Sequence, residues 1–407
     1  MDVVTPPYQK RYLDCDVLTA SKARITWVFE QFEKVMISFS GGKDSTVLMH
    51  LVMEEAIKRN RKVGIFFLDW EIQFSSTIKH VRNMTDLYKE HIDLYWIQLP
   101  IKTVNGCSSF EPEWVAWDET RKALWVREKE TNSISNPNQL PFYTETMTFE
   151  ELVPKFSKWY ANGKPCAIFI GLRTAESLNR FRSITSDKKK RYMNKPWTTQ
   201  ISETVWNAYP IYDWRTEDDW VYFAKTGKVY PELYELMFKA GLSISQMRVD
   251  EPFGVEQRKG LWLYHIIEPD LWAKMVMRIA GANTGGLYAK ESGNILGTNT
   301  IKLPIGHTWE SFAMLLLETM PSTTAEHYKN KISVFLKWYK TRGYPENIPD
   351  DLDLRGKEPS WKLICKTLLR NDYWCKGLDF SPTKTIAYQK YLIMAKKRRQ
   401  AWNILPS

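Results

Sequence analysis

The stretch that decides the fold is "MISFSGGKDSTVL", residues 36 to 48, where an apolar run meets two glycines, a lysine, an aspartate and three serines before a helical pattern begins. "VMISF" (35–39) is a short β-branched and aromatic run suited to a buried strand. From Asp44 onward Val47, Leu48, Leu51, Val52 and Ala56 recur on one helical face, and Lys58, Arg59, Arg61 and Lys62 gather at the end where a helix is negative. A loop leaving a buried strand for a helix brings unpaired backbone N–H groups and the positive end of the helix dipole to one point, which attracts phosphate. Gly41 and Gly42 allow close backbone approach, Ser38, Ser40 and Ser45 offer hydroxyls, and Lys43 adds a point charge.

The Walker pattern fails here. Ile37 stands where its first glycine is required, and Asp44 follows Lys43 where a serine or threonine is needed. No Gly-x-Gly-x-x-Gly fingerprint is present either, because no glycine occurs between Gly42 and Gly64.

Around this loop the pattern alternates. Residues 18–34 read as a helix, "KVGIFFLDW" (62–70) as a second buried strand, "SSTIKHVRNMTDLYKEH" (75–91) as a helix, "LYWIQLPI" (94–101) as a third strand, and "PCAIFIGL" (165–172) as a fourth. Thr148 with Glu151 makes a capping box for a helix running to Tyr160. The predicted fold is α/β with a doubly wound parallel sheet over residues 1–230, interrupted at 102–147 by a tryptophan-rich insertion. A mainly helical region over 231–407 follows. There Pro231, Pro269, Thr308, Ser322, Pro359 and Ser381 precede helical runs, and Gly241 and Gly281 close the first two.

The chain has 407 residues, 43% of them apolar, and lysine plus arginine exceed acids 57 to 47 for a net charge of +10. That surplus favours a polyanionic ligand. No apolar run approaches the roughly 20 residues of a membrane span, and the N-terminus lacks a signal-peptide layout, so a cytoplasmic location and no membrane association are expected. The five cysteines and six histidines are scattered without metal-site spacing, so no structural metal is expected.

The octet "SFSGGKDS" resembles the Ser-Gly-Gly-x-Asp-Ser pyrophosphate loop (PP-loop) of the N-type ATP pyrophosphatases and phosphoadenosine phosphosulfate reductases, matched at Ser40, Gly41, Gly42, Asp44 and Ser45. Two further segments are similar to the same superfamily. "IGLRTAESLNRFRSI" (170–184) matches at Gly171, Arg173, Glu176, Ser177 and Arg180, and "YPIYDWRTEDDWVYFAKTG" (209–227) at Pro210, Trp214, Asp218 or Asp219, and Trp220. The resemblance implies an adenine nucleotide α hydrolase-like fold binding ATP, with Mg2+, or phosphoadenosine phosphosulfate. Lys43, Asp44 and Ser45 would carry the chemistry, and Ser38, Ser40, Gly41, Gly42, Asp69, Gly171, Arg173, Glu176 and Arg180 would hold the nucleotide.

A planar guanidinium at Arg173 or Arg180 suits bidentate phosphate or sulfate contact, whereas "SLNRFR" can equally be a solvated helix face. Asp69 and Glu71 end the second strand, where they bind ribose or magnesium or cap the following turn. Thr216 and Asp219 have capping-box spacing, which makes Asp219 structural.

Residues 247–292 resemble the C-terminal region of a bacterial and phage subgroup described as phosphoadenosine phosphosulfate sulfotransferases, which includes the immunoglobulin-binding regulator A proteins. Arg248, Gln257 and Arg258 are its candidate substrate contacts. "GANTGG" (281–286) reads either as a second anion nest or as a helix C-cap followed by a loop.

The resemblance breaks at the Glu-Cys-Gly segment of thiol-dependent reductases, which is missing. Cys365 sits in an apolar helical run and Cys375 is the remaining candidate thiol. Transfer of an adenylyl or sulfo group to an unidentified acceptor is therefore expected rather than reduction. The alternatives are a nucleotide-binding regulator with a ParB-like partner, implied by the subgroup, and a nucleic-acid modification enzyme using the basic runs at 186–195 and 396–399.

Overall fold

The computed structural model describes residues 12–186, 189–254, 260–287, 301, 303–341, 348–351 and 360–378. Its sheet contains β1 (Lys34–Ser38), β2 (Val63–Leu68), β3 (Ile92–Ile97), β6 (Cys166–Ile170), β7 (Thr198–Gln200) and β8 (Val205–Ala208), in the order β3-β2-β1-β6-β8-β7. Every pairing is parallel except β7 with β8. The insertion folds a separate antiparallel ribbon, β4 (Ile101–Val104) with β5 (Glu113–Ala116). The third predicted strand is thus split, because Pro100 has no N–H for a continuing ladder and the chain turns away to begin β4.

Side-chain alternation assigns the two faces of the sheet. Val35, Ile37, Ile65, Phe67, Ala167 and Phe169 point into one core with α1 (Val17–Gln31), α2 (Lys43–Lys58), α3 (Ser75–Leu87) and α6 (Thr216–Thr226). Met36, Phe66, Leu68 and Ile168 point into the other, against α4 (Phe149–Ala161), whose predicted capping box forms with Thr148 N donating to Glu151 Oε2 at 3.0 Å.

That second core also takes in tryptophans 114 and 117 of the insertion, together with α7 (Leu233–Lys239), α8 (Leu261–Ile267), α9 (Pro269–Arg278) and α10 (Ala282–Leu287). α5 (Leu178–Thr185) follows β6, and its N-cap Ser177 accepts from Arg180 N at 3.2 Å. Apolar packing therefore crosses residue 230 without a break, with Leu233, Tyr234 and Met237 in the same core as Trp114 and Trp117. A separate cluster is built by α11 (Trp309–Thr319), α12 (Ser322–Lys340) and α13 (Trp361–Leu369). The C-terminal region is mostly helical, as its capping pattern predicts. The expected helix after Ser381 and the basic run 396–399 lie outside the described residues.

In "GANTGG" Gly281 stands in the turn after α9 and the remaining five residues make up most of α10, so no nest forms. A Cβ on Gly285 would stand 2.6 Å from Cys107 Sγ and one on Gly286 would stand 2.4 Å from the Trp272 ring, so these glycines serve close packing. Among the described residues no helix is long and apolar enough to cross a membrane, and no group of three metal-ligating side chains occurs.

Candidate nucleotide site

In the sheet order the chain runs outward from β1 to β2 and β3, then crosses back to β6 on the other side of β1 and runs outward again to β8, so the order reverses between β1 and β6. Open α/β sheets bind ligands at such a switch point, beyond the carboxyl ends of the strands. Here the loop after β1 and the segment after β6 meet in a cavity of about 220 Å³. Ser40, Gly42, Lys43, Asp44, Ser45, Gly171, Arg173, Glu176, Arg180 and Arg248 line it, so segments more than a hundred residues apart converge on one volume.

Local geometry explains the glycines. Gly41 has φ +74°, and a Cβ there would stand 3.0 Å from methyl groups of Thr77 and Val81 on α3. Gly171 crosses the first turn of α2 so closely that a Cβ would lie 3.0 Å from Ser45 N and 3.1 Å from the Asp44 carbonyl carbon and oxygen. Since those are backbone atoms, Gly171→Ala is expected to cost about 1–3 kcal/mol by overpacking. Urea unfolding of the variant measures it, and an unchanged midpoint would show that α2 can shift freely.

Four cationic side chains, Lys43, Arg173, Arg180 and Arg248, face the cavity beside the N-terminus of the sixteen-residue helix α2. Lys43 Nζ lies 2.8 Å from Asp44 Oδ2 and 3.6 Å from Asp219 Oδ2. Arg173 Nε donates to Asp44 Oδ1 and stands 3.5 Å from Asp219 Oδ2, while its Nη1 donates to Thr216 Oγ1 at 3.2 Å. Burial would raise the Asp44 pKa, but Lys43, a hydrogen bond shared with Asp219, and Arg173 outweigh it and hold the group at about 2. Asp219 moves the other way, well above the usual carboxylate range, through burial first and the neighbouring Asp44 charge second. The two carboxyls are thus pushed in opposite directions as a coupled pair, with Lys43 and Arg173 beside both.

Asp219 is the functional neighbour that capping arithmetic missed. The α6 cap is made one position earlier, by Arg215 N donating to Asp218 Oδ2 at 2.7 Å, which leaves Asp219 free to turn inward, fully buried against Lys43 and Arg173. Its place in the Pro-x-x-x-Trp segment was the available signal. Tyr234 was missed entirely; on α7 it carries no motif, yet Lys43 N donates to its hydroxyl at 3.1 Å.

Other expected residues fall elsewhere. Ser38 ends β1 without lining the cavity. Asp69 is buried in a different network, taking Trp96 Nε1 at 2.8 Å, Gln98 Nε2 at 2.9 Å, Glu71 N at 2.9 Å and the Arg127 guanidinium. Glu71 accepts from Trp117 N at 2.7 Å and from Arg278 Nε at 2.9 Å. Both acids at the end of β2 thus tie the insertion and α9 to the sheet, and neither lines the cavity. Gln257 and Arg258 lie outside the described residues. Cys365 and Cys375 are buried, and burial pushes each thiol up to about 12, so neither supplies a thiolate near neutrality.

Residues 34–240 match the family model of the phosphoadenosine phosphosulfate reductase domain, about half of the chain. The chain belongs to this family. Residues 241–345 match a domain of unknown function, DUF3440. Along 397 residues, 97% of both chains, it is 44% identical to the uncharacterized protein YbdN of Escherichia coli. It is 25% identical over 211 residues, 52% of this chain and 35% of the relative, to the uncharacterized protein MJ0066 of Methanocaldococcus jannaschii. Among solved structures it is similar to phosphoadenylyl-sulfate reductase from Candida auris, at 13% identity and a TM-score of 0.32, covering 54% of this chain and 85% of that one. The matched reductase domain supplies most of the cavity lining, and the segment that matches DUF3440 adds Arg248 and its neighbours from 244 to 250.

Proposed function

We propose that the cavity binds the phosphate arm of ATP or phosphoadenosine phosphosulfate, and that the protein transfers an adenylyl or sulfo group from it to an acceptor in the cytoplasm. One observation carries this reading: the loop after β1, the Gly171–Arg180 segment and Arg248 put four cations and a helix N-terminus around one volume at the switch point. Polyphosphate is the ligand class that such a site stabilises.

In the adenylyl case an acceptor oxygen forms a bond to the α-phosphorus, the bond to the bridging oxygen of pyrophosphate breaks, and the acceptor proton leaves to solvent. Catalysis is then positioning and charge stabilisation by Lys43, Arg173, the serine hydroxyls and loop N–H groups. Mg2+ would enter with the phosphates; Asp44, Glu176 and Asp250 line the cavity, with Asp44 paired to Lys43 and Arg173 and Glu176 to Arg180. For the acceptor, an apolar groove of about 570 Å³ adjoins the cavity and shares Tyr234, Ile244 and Met247 with it.

The test is incubation with ATP or phosphoadenosine phosphosulfate and candidate acceptors, measuring pyrophosphate or adenosine bisphosphate against a Ser45→Ala control. Release by the wild type alone supports transfer. Nucleotide binding without release in any acceptor's presence would replace transfer by the regulatory reading, in which a ParB-like partner is sought by co-purification. Absence of nucleotide binding would overturn both.

A further inference from the structure

Tyr234 stands 191 residues from the loop it touches. Its ring is buried in the second core, edge-on to Trp220 with centroids 5.6 Å apart, and Lys43 Nζ lies 5.7 Å from its centroid. The hydroxyl oxygen accepts from Lys43 N, the first residue of α2, and it comes this close because Gly42 has no side chain; a Cβ there would stand 3.3 Å from that oxygen. A phenol has one proton to donate besides the lone pairs with which it accepts. Among the described residues nothing accepts the Tyr234 proton, and the residue lines the cavity.

We propose that Tyr234 is a ligand-binding residue of this site, taking the Lys43 N–H on its oxygen and donating its own proton to a phosphate oxygen of the bound nucleotide. The inference rests on the nucleotide reading of the cavity. Tyr234 carries the donor power of the helix N-terminus one hydrogen bond further out, and accepting from a backbone N–H polarises the O–H and makes it a stronger donor. Burial holds the hydroxyl in its protonated form, so the proton is present at every pH where the protein is folded near neutrality. The packed ring supplies the rigidity, since Trp220 and the α7 core leave it no second position to occupy without opening a void. Because Tyr234 also walls the apolar groove, a donor here fixes the phosphate against the side from which an acceptor arrives.

Titration calorimetry with inorganic pyrophosphate on the full chain, wild type against Tyr234→Phe, tests it. Loss of one hydrogen bond to a charged group is expected to weaken pyrophosphate about tenfold, beside a lowered melting temperature because the buried Lys43 N–H loses its acceptor. Equal or tighter binding by Tyr234→Phe would overturn the inference, since the hydroxyl would then only cap the loop or compete for Lys43 N–H. Failure of the wild type and the variant alike to bind pyrophosphate would overturn the underlying nucleotide reading as well. Should Tyr234→Phe not fold, 3-fluorotyrosine placed at position 234 keeps the shape and is a more acidic donor. Tighter pyrophosphate binding is then expected, and unchanged or weaker binding would sink the proposal.

Discussion

Arg173→Ala is expected to weaken nucleotide binding by about a hundredfold or more, the sum of a lost charge-assisted contact and a rearranged loop. The side chain is 3% exposed and holds Asp44 and Thr216 while standing 3.5 Å from Asp219. Without it two buried carboxyls share Lys43 alone, and removing one partner of a buried pair typically costs about 3 kcal/mol or more of stability. Arg173→Lys restores the charge but not the fork, so its binding should fall between the two.

The pH dependence gives an independent reading. Asp44 has its folded pKa lowered from 3.8 to about 2, so its contribution is present above 3.8 and is lost as pH falls through that window. In Arg173→Ala the depression shrinks and the acid transition should move to higher pH. Asp219 has its folded pKa raised, so its contribution is complete below 3.8 and is lost as pH rises. Asp219→Asn should therefore gain on the wild type as pH rises above 3.8, and urea midpoints across that range decide it. A constant difference would remove the opposed shifts of the two carboxyls.

Arg278→Ala is expected to destabilise the fold by about 3–5 kcal/mol while changing nucleotide affinity little. Arg278 and Glu71 are 1% and 0% exposed as side chains, joined by Nε to Oε1 at 2.9 Å and Nη2 to Oε2 at 3.1 Å, and Nη2 also donates to Val115 O at 2.7 Å. One guanidinium thus links the end of β2, the insertion and α9. Its loss strands a buried carboxylate whose backbone already sits in the left-handed region at φ +67°. A double variant Glu71→Gln with Arg278→Met should recover much of the loss, because no buried charge is then left without a partner. Chemical denaturation measures the stabilities and pyrophosphate titration the affinity. A hundredfold affinity loss in Arg278→Ala would place Glu71 in the site after all.

Much of the architecture was readable because strand and helix periods differ. Val35, Ile37, Ile65 and Phe67 alternate with Met36 and Phe66, and the alternating βα order leaves few parallel topologies. The loop itself was readable because Gly41 answers a local demand, a positive φ. The 102–147 insertion was opaque: its ribbon is held by Trp117 and by Arg127 and Arg278 reaching the end of β2, contacts with no period in the chain.

The sequence by itself determined the elements around β1, the parallel character of the sheet, and which loop is the candidate for phosphate, since each follows from neighbours along the chain. Tertiary structure alone decided which carboxylates belong to the site. Asp69 and Asp219 both stand in motif-like segments, yet one is spent anchoring the insertion and the other is buried beside Lys43 and Arg173. It also brought in Tyr234, because a hydroxyl 191 residues away reaches Lys43 N only after two cores have packed. Burial and opposing charge fix such roles, and both are properties of the assembled fold rather than of spacing along a chain.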